Sequence, residues 1–277
     1  MTTSPPGSSV RVIKPRSPDF VFDAVPPHWM GGSPFATQLI NGVNLLFPAG
    51  ERFFVRSVRR YLDQVEPELA AQARGFFGQE GRHARAHEDF FEALTRQGYP
   101  IASFLSWYER MAYKHVEPAA SPVLRLAVTA ALEHYTAIMA EGALRDGFLD
   151  AHAHEAVRDL LKWHACEEIE HKAVAFDVLQ RVDPRYRTRV AGMALGTLLL
   201  LSFWAVATGT LLLHDRRQGV RKFFRLGNTM PLKGLVTEVF YAGIRDYLRR
   251  DFHPDQRDNQ QLARDYLVAA GFEPAAV

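Results

Sequence analysis

A ten-residue stretch in the second half of the chain, residues 163–172, combines two histidines and three glutamates with apolar neighbours. Burying so many charged or ligating side chains is costly unless a cation compensates them. If the stretch is helical, His164, Glu168 and His171 share one face. Imidazole and carboxylate groups that share a face are typical metal ligands. The stretch therefore predicts half of a metal site, and its Glu-x-x-His step recurs once, starting at Glu80.

The elements that must position these residues are helices. Apolar residues follow the helical period nearly throughout, and no Asn-Gly or Asp-Gly turn joins two alternating runs. We therefore predict an all-α protein. The predicted helices cover residues 35–46, 51–62, 67–96, 101–116, 123–146, 152–182 and 259–270, and a Pro-Ala-Gly interruption at 48–50 separates the first two.

Four long helical segments each offer a carboxylate at a core position, and two of them add a histidine. In a four-helix bundle, this order is how ferritin-like carboxylate proteins hold two iron or manganese ions. The helix over 101–116 lengthens the connection between the second and third segments, where ferritin-like folds have a long crossover. We predict this fold, followed by an extra apolar helix and C-terminal helices. The residues are, in chain order, Glu51, Glu80 with His83, Glu133, and Glu168 with His171.

The same pattern resembles that of the ferritin-like di-iron proteins. The added His164 is similar to the extra histidine of di-iron N-oxygenases that act on arylamines. The chain also contains the phrases Phe47-Pro48-Ala49-Gly50-Glu51-Arg52-Phe53-Phe54, Gln79-Glu80-x-x-His83, and the stretch from Trp163 to Asp177. Through these phrases, and from about Arg11 to about Leu248, it resembles a bacterial family of predicted metal-dependent hydrolases.

The resemblance implies a cofactor of two iron ions, or of iron with manganese. His87 extends the face of Glu80 and His83, and it is either an eighth ligand or a residue that contacts the ligands. We interpret His134 as a hydrogen-bonding residue, and Glu170 as a charge at the surface or beside the ligands. The implied ligands are Glu51, Glu80, His83, Glu133, His164, Glu168 and His171. Lys172 has the same interpretation as Glu170. Glu168 is preferred to Glu167 as the ligand, because only Glu168 lies three residues before His171.

Three functions are compatible with such a site. The first hypothesis is a non-haem di-iron or Fe/Mn oxygenase or oxidase, which would use dioxygen and an electron donor to oxidise an apolar lipid-like or aromatic substrate. The alternative is a metal-dependent hydrolase with a metal-activated water. The third is a non-catalytic iron-binding protein, either a store or a metal-stabilised scaffold.

The composition of the chain indicates which classes of partner and which cellular location to expect. The chain has 277 residues with 33 basic and 31 acidic side chains, and no long basic block predicts a nucleic-acid partner. A single cysteine and an N-terminus without an apolar core predict a cytoplasmic protein. We predict an N-terminal tail and wrapping segment over 1–34, the metal-binding bundle over 35–185, and an apolar and amphipathic extension over 186–277.

Two local features extend these predictions. Residues 190–213 contain no charged side chain, which predicts contact with a membrane, a helix buried against the bundle, or a homodimer seam. The protein would then be peripheral or integral at the inner face of the membrane. Gly75, Gly78 and Gly81 surround Glu80, which predicts a close approach by a neighbouring helix or a ligand, or a π-bulge.

Overall fold

The computed structural model describes residues 12–222 and 234–273 of the chain. Within these ranges the backbone forms helices and no β-strand, and one isolated bridge pairs Met30 with Ala153. The all-α prediction is confirmed. The α-helices are α1 Pro34–Asn44, α2 Phe47–Arg59, α3 Pro67–Arg96, α4 Ile101–Glu109, α5 Glu117–Ala119, α6 Pro122–Arg145, α7 Phe148–His152, α8 Glu155–His171, α9 Val174–Val182, α10 Tyr186–Arg217, α11 Gly243–Tyr247 and α12 Gln260–Ala269. Short 3₁₀ segments cover Leu62–Gln64 and Pro254–Gln256, and π-helical segments cover Arg110–Val116 and Leu235–Ala242.

Local signals set the ends of two helices that carry site residues. Both α3 and α6 begin with a proline, Pro67 and Pro122, whose fixed φ suits the first helical turn. The Ser121 hydroxyl accepts a hydrogen bond from the backbone N–H of Leu124, which caps α6. Gly147 follows the end of α6 with a φ of 64°, a left-handed conformation that favours glycine.

Two helix pairs surround the polar centre of the protein. Helix α2 packs along α3, α6 packs along α8, and further contacts of α2 with α6 and of α3 with α8 join the pairs. The helix predicted over 152–182 is divided, because α8 ends at His171 and α9 begins at Val174. At this break the buried Lys172 ammonium donates a hydrogen bond to the Asn259 side chain. The ferritin-like topology and the domain boundaries stay predictions.

The N-terminal segment, residues 12–33, carries no helix and lies across α3. A Cβ at Gly75 would collide with Ile13, and one at Gly78 would collide with Pro15. Helix α3 is an uninterrupted α-helix, so Gly75 and Gly78 serve a close approach and not a π-bulge, whereas a Cβ at Gly81 would meet no atom within 4 Å. The approaching element is this extended segment, whereas the sequence suggested a neighbouring helix or a ligand.

Helix α10 contains the uncharged run over 190–213 and packs on α1 and α6. By length and composition it is the one helix in the described ranges that could cross a membrane, and 28% of its most apolar window is buried. Gly42 of α1 and Gly192 of α10 let the helices approach closely, since a Cβ at either position would collide with the opposing helix. Trp204 adds a hydrogen bond of 2.7 Å from its indole N–H to the Leu39 carbonyl.

Candidate metal centre

Seven of the predicted ligands meet between α2, α3, α6 and α8. Each of these seven residues is at most 4% exposed. Glu51 follows the proline-containing first turn of α2, and it is buried, so it is not a surface charge at a helix start. The residues are Glu51 on α2, Glu80 and His83 on α3, Glu133 on α6, and His164, Glu168 and His171 on α8.

Glu168 lies at the middle of this cluster. Its Oε1 atom is 2.9 Å from Nε2 of His164 and 3.5 Å from Nε2 of His171. The same oxygen lies 3.7 Å from Nδ1 of His83. Glu51 approaches from α2, with its Oε1 atom 3.7 Å from Nε2 of His164. One carboxylate therefore contacts histidines of both Glu-x-x-His motifs.

The donors fall into three groups, and the ligand atoms of each group lie within 4.8 Å of one another. Two groups share no residue, so the cluster offers two separate metal positions, and the third group lies between them. In one position, Nε2 of His171 lies 3.1 Å from Oε1 of Glu80 and 3.4 Å from Oε2 of Glu133. The groups are Glu51 with His83 and His164, Glu80 with Glu133 and His171, and Glu80 with His83 and Glu168.

The unpaired atoms of the cluster fit metal ions. Both carboxylate oxygens of Glu51, Glu80 and Glu133 are buried without a hydrogen-bond partner among the described residues. Nδ1 of His83 and Nε2 of His171 are also buried and form no hydrogen bond there, although Nε2 of His171 lies close to the carboxylates of Glu80 and Glu133. Leaving so many buried polar atoms unsatisfied is costly, and divalent cations would satisfy them together. Oxygen and imidazole donors without a thiolate suit iron, manganese or zinc.

The pKa values of the cluster residues show that protons compensate the buried carboxylates when no metal ion is bound. Burial, followed by the charges of neighbouring carboxylates, raises the pKa of Glu51 well above its ordinary value. Burial also raises the pKa of Glu133 to about 7. Burial disfavours a charge on His171, but Glu168 and the other carboxylates outweigh it and raise the pKa of His171 well above its ordinary value. Protons thus supply the compensation that metal ions would give.

The two Glu-x-x-His histidines are oriented by different partners. Nε2 of His83 lies 3.0 Å from a Glu167 oxygen, which leaves Nδ1 directed at the cluster. Nδ1 of His171 lies 2.8 Å from the Gln79 amide oxygen, which leaves Nε2 directed at the cluster. Hydrogen bonds of this kind fix the tautomer and the ring orientation of metal-ligating histidines.

Both orienting partners connect to Arg16 of the N-terminal segment. Its guanidinium donates to Glu167 at 3.0 Å, and to both oxygens of Glu170 at 2.8 Å. Glu170 accepts a further hydrogen bond of 2.8 Å from the Gln79 amide nitrogen. The side chains of Arg16, Glu167 and Glu170 are 6% exposed or less. One arginine therefore supports the orientation of both histidines, through Glu167 on one side and through Glu170 with Gln79 on the other.

His87 and His134 lie beside the cluster. Nε2 of His87 lies 2.7 Å from Nδ1 of His164, so the structure places His87 behind His164 and in none of the three donor groups. The Phe47 ring contacts the imidazoles of His87 and His164, each at a centroid distance of 4.9 Å. His134 lies 2.9 Å from the Gly243 carbonyl, in agreement with the hydrogen-bonding role predicted for it.

A cavity of about 440 Å³ reaches the cluster at His164 and Glu168. Most of its walls are apolar and come from α1, α6 and the segment that begins at Gly234. The lining also includes charged residues, among them Glu141, Glu238 and Arg257, and it includes the Asn44 side chain, which is fully buried and has no hydrogen-bond partner among the described residues. A smaller cavity of about 110 Å³ reaches Glu51 and is lined by α2, α4, α6 and α10.

The sequence interpretation missed the residues around the ligands. Glu167 was given a lesser part, yet it contacts His83, and Glu170 and Lys172 are buried at 3% exposure. A signal for Glu167 and Glu170 was present, because both lie on the helical stretch that carries the ligands. No local signal marks Arg16, which reaches Glu167 across 151 residues of sequence.

These features define an all-α protein with a buried carboxylate–histidine centre suited to metal ions. Residues 14–258 match the model of a family described as predicted metal-dependent hydrolase, and the chain belongs to that family. None of the curated proteins and none of the solved structures matches the chain.

Proposed function

We propose that this protein is a two-metal enzyme whose catalytic centre is the carboxylate–histidine cluster. The observation that carries the proposal is the convergence of buried, unpaired ligand atoms into two donor groups that share no residue. Four carboxylates offset most of the charge of two divalent ions. The substrate would bind at the donor group that contains Glu51 and His164, because these two residues line the cavities. The residues of the other group, Glu80, Glu133 and His171, line neither cavity.

Hydrolysis is the reaction that the family description favours. Bound divalent ions would lower the pKa of a water molecule and polarise a carbonyl or phosphoryl oxygen. The chain's own residues would then bind and orient the substrate. The apolar walls of the large cavity would hold an acyl or aromatic group and exclude bulk water, while the unpaired Asn44 amide would accept or donate a hydrogen bond to the polar part of the substrate.

Oxidation is the second candidate, and it rests on the donor set and the cavity. Carboxylates and imidazoles from four helices resemble the sites of di-iron oxygenases and oxidases, and the lining of the larger cavity is mostly apolar. This function would require iron or Fe/Mn, dioxygen, an electron donor and an apolar substrate. A non-catalytic iron-binding role is less well supported, since such a role gives no reason for a cavity of about 440 Å³ that ends at the ligands.

Oxygen dependence separates the two reactions. The metal-depleted protein should be loaded under nitrogen with ferrous iron, manganese or zinc, and the bound metal should be measured. We expect two ions per chain, and turnover of chromogenic acyl esters under nitrogen. Turnover should disappear in Glu168→Gln and persist in Glu88→Gln, a matched change at an exposed site on α3.

Absence of ester and phosphoester turnover with every metal, combined with oxygen uptake by the ferrous protein and a reductant, would favour oxidation. Fewer than one bound ion per chain would contradict both reactions. We further propose a cytoplasmic protein that contacts the inner face of a membrane, supported by the length and apolar composition of α10.

A further inference from the structure

The large exposed hydrophobic side chains are concentrated in one part of the molecule. Eleven such residues occur in the described ranges, and eight of them lie on α10 or on the two segments that pack beside it. One neighbour is α4 with its π-helical continuation, where Trp107 contacts Phe203 of α10 at 5.7 Å between centroids. The other is the π-helical segment Leu235–Ala242, where Phe240 contacts Trp204 at 6.3 Å. The eight residues are Trp107, Met111, Leu198, Leu201, Val206, Leu213, Val236 and Tyr241.

The outward face of α10 is apolar along most of its length. Its exposed positions between 191 and 213 hold alanine, leucine, valine and one serine, and they extend for about 33 Å at the helical rise. The one acidic residue of α10 is Asp215, which is 3% exposed and accepts hydrogen bonds from Gln38 and Tyr99. The exposed surface of α10 therefore presents apolar side chains and no negative charge.

Both ends of this apolar face carry exposed cations. Arg187 precedes it, and a cluster of four basic residues, Arg216, Arg217, Arg221 and Lys222, follows it. If a second copy of the chain packed α10 against α10, cations would face cations in the parallel and in the antiparallel arrangement. Anionic lipid head groups would instead complement both ends while the acyl region covers the middle.

We propose that the outward face of α10 docks onto an anionic lipid surface, with the helix axis lying along the membrane plane. The opposite face of α10 stays on the bundle, where Gly192 packs against Ala127, and Trp204 is hydrogen-bonded to Leu39. A helix held in this way inserts its outer side chains into the boundary between head groups and acyl chains, and it does not cross the bilayer.

This surface also identifies the source of the substrate, an extension that rests on the proposed function. The inner side of the same helix lines both cavities, through Leu199 and Phe203 in the smaller one and Trp204 in the larger one. An apolar substrate dissolved in the lipid would then lie on the outer side of the helix whose inner side lines both cavities. The substrate class is therefore a membrane-dissolved acyl or aromatic compound.

Vesicle sedimentation tests the docking surface. The full-length, metal-loaded protein is mixed with vesicles of phosphatidylcholine alone, or of phosphatidylcholine with phosphatidylglycerol, at low and high salt. The variant Leu198→Glu with Leu201→Glu places charges on the docking face, at positions that line neither cavity. The matched control is Val21→Glu with Val268→Glu, at exposed apolar positions away from α10.

We expect the wild type and the control to bind anionic vesicles more tightly than neutral ones. The Leu198/Leu201 variant should bind about ten-fold or more weakly, and high salt should also weaken binding. Equal binding by the two variants, or no binding by the wild type, would overturn the proposal. So would a wild-type dimer in lipid-free solution that the Leu198/Leu201 change dissociates. Metal content and turnover of a water-soluble ester, measured on the same variants, report separately on the proposed function.

Discussion

The two sides of the metal cluster differ in how their polar atoms are satisfied. On the closed side, Arg16, Glu167 and Gln79 form hydrogen bonds of 2.8–3.0 Å in a region at most 7% exposed. On the open side, His164 and Glu168 face a cavity of about 440 Å³, and Asn44 lines it with an unpaired amide. The closed side can hold the histidine rings in place, and the open side can bind a substrate.

The largest effect is expected on the closed side, from Arg16→Ala. This change leaves Glu167 and Glu170 buried with less compensation, and the loss of one partner from a buried ion network costs about 3–5 kcal/mol. We expect urea denaturation to show this loss, and chelator competition to show weaker metal binding. Arg82→Ala is the matched control, because Arg82 contacts Ser17 of the same segment at an exposed site. Unchanged stability and metal affinity in Arg16→Ala would show that the two sides do not differ in this way.

Glu168 lies between the closed side and the open side of the cluster. Replacing Glu168 by Gln removes the carboxylate that contacts three histidines, and we expect metal content to fall from two ions per chain to one or fewer. Because changes at partners of metal ligands already cost about 10–100-fold, activity should fall by at least about 100-fold. Metal analysis and rate measurements check the prediction, and Glu88→Gln should leave both unchanged. Full metal content in the Glu168 variant would remove it from the site.

Glu133 makes a pH-dependent contribution to the stability of the metal-free protein. The pKa of Glu133 is about 7 in the folded state, against an ordinary value of 4.5. The folded protein therefore binds this proton more tightly than the unfolded chain, so the contribution of Glu133 to stability falls as pH rises from 4.5 to 7, by up to about 3 kcal/mol. Urea denaturation at several pH values measures this slope.

Two comparisons sharpen that test. Metal-loaded protein should show the opposite slope, because protons compete with metal ions for the ligands. Glu133→Gln should make the slope of the metal-free protein shallower. A Glu133→Gln slope equal to that of the metal-free wild type would contradict the prediction.

The smallest effect is expected on the open side, from Asn44→Leu. Its buried, unpaired amide destabilises the protein, so replacement by an apolar side chain should raise the free energy of unfolding by about 1–3 kcal/mol. If the amide binds the polar part of the substrate, kcat/KM should fall by about ten-fold or more while metal content is unchanged. Denaturation and kinetics on one preparation measure both quantities. Unchanged kcat/KM would place the amide outside the substrate site.

The sequence predicted the helical class and which candidate ligands share a helix face, because these depend on local geometry. The spacing of His164, Glu168 and His171 puts them on one face of any α-helix, and the structure shows them there. The break between α8 and α9 was not predicted. The break includes Lys172, whose buried side chain donates a hydrogen bond to Asn259, 87 residues away.

The position of His87 relative to the cluster also could not be predicted from local spacing. Sequence spacing allowed it to be an eighth ligand, and only the tertiary structure places its ring against His164. Similarly, Gly75 and Gly78 indicated a close approach near Glu80 but could not identify the approaching segment.

The sequence by itself thus determined the helical class and the donor residues that share one face of a helix, because i, i+3 and i, i+4 spacing fixes side-chain direction on a helix. Only the tertiary structure decided which sides of the cluster are closed and open. Arg16 reaches Glu167 and Glu170 over separations of 151 and 154 residues, and the cavity lies between helices that are distant in sequence. Contacts of this range depend on packing between helices, and no local periodicity encodes them.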